Sequence, residues 1–167
     1  MPLIDGLLQG LEQEARTTRR VLERVPDLQL AWRPHEKART LGELALHVAM
    51  VPGGVAELVA SPSPAQAPQG TDPSPKSAAE LIPALDRSIA KAKHVLGGMD
   101  DATLLETWRL MQGERELFAM PRVAMLRSVM LNHWYHHRGQ LTVYLRELGV
   151  PIPSIYGPSA DENPFAQ

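Results

Sequence analysis

The sequence of 167 residues contains no cysteine. Disulfide bonds, thiolate metal sites and cysteine nucleophiles are therefore excluded. Any metal ion would have to be held by nitrogen and oxygen ligands. Such ligands suit zinc, nickel, iron or manganese rather than a closed structural cage of thiolates.

The sequence also has little net charge. The formal charge is -2 at neutral pH, and the isoelectric point is near 6.3. Because acidic and basic residues are mixed along the chain without a basic run, we expect neither nucleic acid nor a membrane surface as a partner.

Long apolar runs are missing as well. No stretch of sequence reaches the roughly 20 apolar residues that a membrane span needs. The N-terminal segment lacks the basic start and apolar run of a signal peptide. We therefore expect a soluble, cytoplasmic protein.

Length and composition predict one globular domain over residues 1–167. Hydrophobic residues make up 44% and charged residues 22% of the chain, proportions typical of soluble globular proteins. A chain of this length can bury one continuous core. The 15 prolines are placed so that they divide helices rather than disorder the chain.

Apolar spacing predicts two helices in the first third of the chain. The first covers about residues 3–25 and ends before Pro26. The second begins at Thr40, which can form a capping box with Glu43. Residues 52–54 read Pro-Gly-Gly, so we expect a kink or a break in this second helix.

Two more helices are predicted in the second half. The third covers about residues 77–96 and the fourth runs from Pro121 to Leu148. Between them, residues 107–118 could form a small hairpin around Gly113.

Residues 61–76 contain five prolines and form a predicted loop between the second and third helices. Sixteen extended residues reach ~50 Å, whereas a 20-residue helix is ~30 Å long. The second and third helices can therefore run parallel, with the proline-rich loop crossing between them. The predicted fold class is all-α, a four-helix bundle.

Histidine spacing predicts a metal site. His133 and His137 lie four residues apart, which places both imidazoles on one face of a helix, with Cβ atoms about 5–6 Å apart. Such a pair becomes a site only with a third ligand, and His47 near the apolar face of the second helix is the candidate. Bundle cores are where proteins build metal sites from such side chains.

Simpler interpretations of these histidines exist. A lone histidine at position 47 is commonly a hydrogen-bonded core residue, and a helix surface can carry a histidine pair by chance. A metal-free bundle is therefore an alternative. His136 is less well aligned with His133 than His137 is, which makes it an accessory residue; His35 and His94 are expected to be solvated.

Three stretches resemble the DinB/YfiT-like superfamily. They are residues 32–34 (WRP) leading into 40–47 (TLGELALH), residues 133–141 (HWYHHRGQL) and residues 152–159 (IPSIYGPS). The resemblance covers essentially the whole chain. It implies an up-down-down-up four-helix bundle, commonly a homodimer, with a divalent metal on His47, His133 and His137.

The same resemblance implies an activity. Some relatives are S-transferases or isomerases that use a low-molecular-weight thiol, which the metal binds as the thiolate, and a metal-dependent hydrolase is a related expectation. The small-molecule thiol would supply the sulfur nucleophile that this cysteine-free chain lacks. Zinc or nickel is the first expectation for the metal, with iron and manganese as alternatives.

Three further residues are candidates around the metal. Glu43 and Gln140 could orient the ligands, and His136 could act in the cavity. Each also has a simple structural interpretation: Glu43 caps a helix, Gln140 is an amide packed against its neighbours, and His136 makes an ordinary contact at the protein surface. The alternative function is a non-catalytic, metal-binding bundle protein of a stress response.

Overall fold

The computed structural model describes residues 2–70 and 73–166, and within these ranges the protein is mostly helical. The prediction of a loop at positions 71 and 72 lies outside the described residues. The helices are, in chain order, α1 (Leu3–Leu22), α2 (Leu41–Ala60), α3 (Leu81–Leu96), α4 (Asp101–Leu105), α5 (Arg122–Met125) and α6 (His133–Glu147). A π-helical segment, Leu126–Asn132, joins α5 to α6, with helical backbone angles at both junctions.

A small sheet accompanies the helices, so the all-α prediction is wrong in this respect. Its strands are β1 (Ala65–Gln66), β2 (Thr107–Gln112) and β3 (Arg115–Pro121), in the order β1-β2-β3. The predicted hairpin is confirmed by the antiparallel β2–β3 pair. Its two-residue loop begins with Gly113 at a φ of 60°, as type II′ turns require.

Strand β1 was not predicted, because it lies in the proline-rich loop. It pairs in parallel with β2, and Ala65 lies opposite Leu110. The backbone N–H of Ala67 continues this pairing by donating to the carbonyl of Met111 at 2.7 Å. The loop thus satisfies part of its backbone on the hairpin, which no local sequence pattern could have indicated.

The four long helices share one core. Helix α2 packs against α3, α1 and α6, and α1 also contacts α3 and α6. By length and composition α2 could cross a membrane, contrary to the sequence expectation that no stretch is long enough. Within the protein, 56% of its most apolar window is buried, and a mostly buried core helix passes the same test.

Of the expected kink or break in α2, the break does not occur: the helix continues through Pro52 to Ala60. Proline has no N–H, so the carbonyl of Val48 lacks its usual helical donor. The indole N–H of Trp134 donates to that carbonyl instead, at 2.7 Å. One turn on, the hydroxyl of Ser88 accepts from the N–H of Gly53 at 2.8 Å and donates to the carbonyl of Met50 at 3.0 Å. A side chain of α6 therefore supplies the donor that Pro52 lacks, and a side chain of α3 forms two further hydrogen bonds with the same part of α2.

Gly53 and Gly54 provide a matched test of this packing. An added Cβ at Gly53 would lie 2.7 Å from the carbonyl oxygen of Ser88, whereas at Gly54 it would meet nothing within 4 Å. We expect Gly53→Ala to destabilise the fold by about 1–3 kcal/mol through overpacking. Gly54→Ala should be neutral or stabilising by up to about 1 kcal/mol, because alanine favours the helix. Urea denaturation of both variants measures this; equal effects would contradict the close α2–α3 approach.

Candidate metal centre

Three imidazoles meet between α2 and α6. His47, His133 and His137 each offer one ring nitrogen, and these nitrogens lie within 4.8 Å of one another. The Nε2 atoms of His47 and His133 are 3.2 Å apart. Two nitrogens bound tetrahedrally to one ion at about 2.1 Å lie roughly 3.4 Å apart, so this pair is already close to ligating distance. The three histidines could hold a metal ion.

The helices explain this convergence. His133 and His137 are one turn apart in α6, and their ring centroids are 4.3 Å apart. His47 approaches from α2, with its ring centroid 4.6 Å from that of His137. The neighbour of His47, Val48, accepts the hydrogen bond from the neighbour of His133, Trp134. This buried bond fixes the two helices next to the ligands.

The tautomer of His137 leaves the lone pair of Nε2 for a metal ion. Its Nδ1 is 2.7 Å from Oε1 of Gln140, which assigns the proton to Nδ1 and the lone pair to Nε2. Burial lowers the pKa of His137 to about 4; the hydrogen bond that His137 donates to Gln140 opposes this shift, while His133, His47 and Arg39 add to it. The ring is therefore neutral at physiological pH, as metal binding requires.

The other candidate residues differ in their position relative to the three histidines. The side-chain oxygen of Gln140 contacts Nδ1 of His137. Glu43 has the capping geometry, because its Oε2 accepts from the N–H of Thr40 at 2.7 Å. His136 is exposed, with its ring centroid 5.0 Å from that of His137. The other two histidines, at positions 35 and 94, are exposed as predicted.

A cavity of about 560 Å³ lies on the side of Gln140, although none of the three histidines is among its described lining residues. Gln140, which contacts His137, and Glu43 and Leu44 in the first turn of α2, one turn before His47, belong to its wall. Its volume lies in the range of small-molecule sites. The sequence pattern indicated the three candidate ligands but missed two basic residues of this cavity, Lys37 and Arg39. The described lining residues are Lys37, Ala38, Arg39, Glu43, Leu44, Gly70, Gln140 and Tyr144.

A buried ion pair supports α6 beside the histidines. Arg138 is 1% exposed and Glu14 of α1 is 8% exposed; the guanidinium and carboxylate are 2.7 Å apart. Arg138 also donates to the hydroxyl of Thr18 at 3.1 Å and to the hydroxyl of Tyr156. The Tyr156 hydroxyl in turn donates to Glu14 at 2.9 Å. The C-terminal segment is thus hydrogen-bonded to both α1 and α6 through Tyr156.

Known proteins similar to this chain show its family and fold. The chain is 30% identical over 162 residues to a protein of Bacillus subtilis strain 168 named "Uncharacterized protein YrdA", with 95% of this chain and 91% of that protein covered. Among solved structures, a DinB-like protein of Bacillus cereus ATCC 10987 matches with a TM-score of 0.73 at 24% identity, covering 91% of this chain and 97% of the other. The DinB-like protein YjoA of Bacillus subtilis matches with a TM-score of 0.63 at 19% identity, covering 86% and 92%. The model of the DinB family matches residues 3–164, and the chain therefore belongs to the DinB family.

Proposed function

We propose that the protein is a metal-dependent enzyme in which His47, His133 and His137 hold one divalent ion. Zinc or nickel is the ion that we propose first, and iron or manganese are the alternatives. The observation that carries this proposal is the convergence of three ring nitrogens from two helices, and Gln140, which contacts His137, also lines a cavity. Three protein ligands leave a metal open to a substrate atom, as in catalytic rather than structural sites.

The reaction that we propose is the transfer of a low-molecular-weight thiol to an electrophile. A divalent ion in such a site lowers the pKa of a thiol or water molecule. The chain itself orients His137 through Gln140 and offers a cavity for the substrate. In the reaction a sulfur–carbon bond forms, the leaving group departs with its electron pair, and the thiol proton passes to solvent. Hydrolysis with water as the nucleophile is the related alternative.

The first test combines metal analysis with an activity assay. We expect about one equivalent of metal per chain, and a His47→Ala variant should bind it more than about 100-fold more weakly, because one of three ligands is lost. His94→Ala removes an exposed histidine of α3 and should change nothing. Metal-loaded protein is then assayed with several thiols and chlorodinitrobenzene. If thiol-dependent turnover does not exceed that of His47→Ala, the transferase proposal is wrong.

A non-catalytic, metal-binding stress-response protein is the alternative. In such a protein a fourth protein ligand would complete the coordination of the metal, whereas a cavity near the metal favours an enzyme. X-ray absorption spectroscopy of the loaded protein gives the number of histidine and other ligands. A metal-free bundle, in which the contact between His47 and His133 is an N–H···N hydrogen bond, would be supported if His133→Ala left the bound metal unchanged.

We further propose a cytoplasmic homodimer of up-down-down-up bundles, with no nucleic-acid or membrane partner. The net charge of -2 supports the absence of nucleic acid, and exposed apolar side chains such as Val143 of α6 could serve a dimer contact. Sedimentation of the chain at its monomer mass of 18.4 kDa would rule out the homodimer.

A further inference from the structure

Gln140 belongs both to the surroundings of the candidate metal centre and to the cavity wall. It lies in α6 three residues after His137, and its Oε1 is 2.7 Å from Nδ1 of His137. Its exposed side chain also lines the cavity. An imidazole that binds a metal through Nε2 carries its proton on Nδ1. The amide atom that faces the imidazole must therefore be the oxygen, as the acceptor of that proton.

This contact restricts the position of the amide nitrogen. The oxygen and nitrogen of an amide are bonded to the same planar carbon, so Nε2 of Gln140 lies within about 5 Å of Nδ1 of His137. Exchanging the two ends of the amide would set an N–H donor against the N–H of Nδ1. The hydrogen bond with His137 thus selects one orientation of the Gln140 amide.

The amide nitrogen offers hydrogen-bond donors that the protein does not use. A primary amide nitrogen carries two N–H donors, and among the described residues none accepts a hydrogen bond from Nε2 of Gln140. Two other polar groups of the same wall are engaged. The Glu43 carboxylate accepts from the N–H of Thr40, and the Tyr144 hydroxyl donates to the carbonyl of Arg39 at 3.4 Å.

We propose that Gln140 binds the substrate: its amide nitrogen donates to a carbonyl or carboxylate oxygen in the part of the substrate that occupies the cavity, while its amide oxygen orients His137. The inference rests on the function proposed above, because a metal ion on Nε2 of His137 sets the orientation of the amide. One side chain then fixes the tautomer of a metal ligand and selects substrates that carry an acceptor oxygen.

The variant Gln140→Glu separates these two roles. A glutamate oxygen can still accept from Nδ1 of His137, as carboxylates do beside many metal-bound histidines, but a carboxylate has no N–H donor. We expect the metal affinity to be unchanged or higher. The affinity for a thiol with acceptor oxygens should fall by about 10-fold or more, because the acceptor loses its donor and meets a negative charge. Gln140→Leu removes both roles and should also weaken metal binding by about 10-fold or more.

Three thiols test the expected loss on protein saturated with cobalt(II), with binding followed by the sulfur-to-cobalt absorption band. Glutathione carries carbonyl and carboxylate oxygens, its diethyl ester has no carboxylate, and butanethiol has no acceptor oxygen. In both Gln140 variants the affinity for glutathione should fall relative to that for butanethiol. A loss that the ester shares assigns a carbonyl as the acceptor, and a loss confined to glutathione assigns a carboxylate.

Two results would overturn the proposal. One is an equal effect of Gln140→Glu on glutathione and butanethiol. The other is a selective loss in Gln140→Glu without one in Gln140→Leu, which would show charge repulsion alone. Gln9→Glu is the matched control, because Gln9 is an exposed glutamine of α1 outside the cavity lining. It makes the same change of charge and should alter neither metal nor thiol binding.

A calorimetric titration with S-methylglutathione, which has no free thiol, separates the role of Gln140 from the proposed function. Binding that weakens in both Gln140 variants, together with no cobalt–sulfur band for any thiol, supports substrate binding by Gln140 and refutes the thiol-transferase function. Cobalt–sulfur bands that form with all three thiols at the same affinities in the wild-type protein and in Gln140→Glu do the reverse.

Discussion

Replacing Arg138 with methionine is expected to lower the free energy of unfolding by about 3–5 kcal/mol, the usual cost of breaking a buried ion pair on one side. The guanidinium is almost completely buried, and it neutralises the carboxylate of Glu14 while it donates to Thr18 and Tyr156. Methionine fills much of the space but leaves that carboxylate buried without its cation. Urea denaturation followed by circular dichroism measures the loss.

Matched variants distinguish the effect of losing the ion pair from the effect of losing side-chain volume. Arg19→Met removes an arginine whose ion pair with Asp86 is exposed, and it should cost no more than about 1 kcal/mol. The double variant Arg138→Met with Glu14→Leu should recover part of the loss, because no charge is then left buried. A cost below about 1 kcal/mol for Arg138→Met would show that the pair contributes little to stability.

The second large effect is expected at Trp134. Its ring is fully buried, so Trp134→Ala should cost about 3–5 kcal/mol through lost burial and the cavity left behind. Trp134→Phe keeps most of the apolar surface but leaves the carbonyl of Val48 without a donor, at a cost of about 1–3 kcal/mol. Thermal and urea denaturation measure both.

Trp134→Phe should also weaken metal binding, because the lost bond joins the neighbours of two candidate ligands, His47 and His133. We expect a loss of about 10-fold or more in affinity, as for other residues that orient ligands, measured by competition with a chelator. Trp108→Phe is the control. Trp108 is equally buried and its indole N–H donates to the carbonyl of Ser61 at 3.2 Å, away from the histidines. If both variants lower metal affinity equally, Trp134 has no specific positioning role.

The candidate site could be predicted largely because its signal is local. The spacing of His133 and His137 follows from the α-helical period alone, and α6 is a regular helix over these residues. The capping box of Thr40 and Glu43 and the hairpin at Gly113 are likewise short-range patterns that the structure reproduces. Such patterns are encoded within one or two turns of chain, so sequence reasoning reaches them.

Other features depended on partners distant in sequence. A proline inside a helix predicts a break unless another group replaces its missing hydrogen bond. That group is the indole of Trp134, 86 residues from Val48. Strand β1 likewise exists only because the proline-rich loop passes beside β2.

The sequence by itself determined the classes of chemistry that are open to this protein. The absence of cysteine leaves nitrogen and oxygen ligands, and helical periodicity places two histidines of α6 on one face. Only the tertiary structure decided that His47 meets them, because packing of α2 against α6 sets the distance between their ring nitrogens. The π-helical segment before His133 also rotates the faces of α6 relative to the preceding turns. A prediction that assumes 3.6 residues per turn throughout does not include this rotation. Packing likewise formed the cavity that Gln140 lines, since a cavity is formed by surfaces from distant parts of the chain.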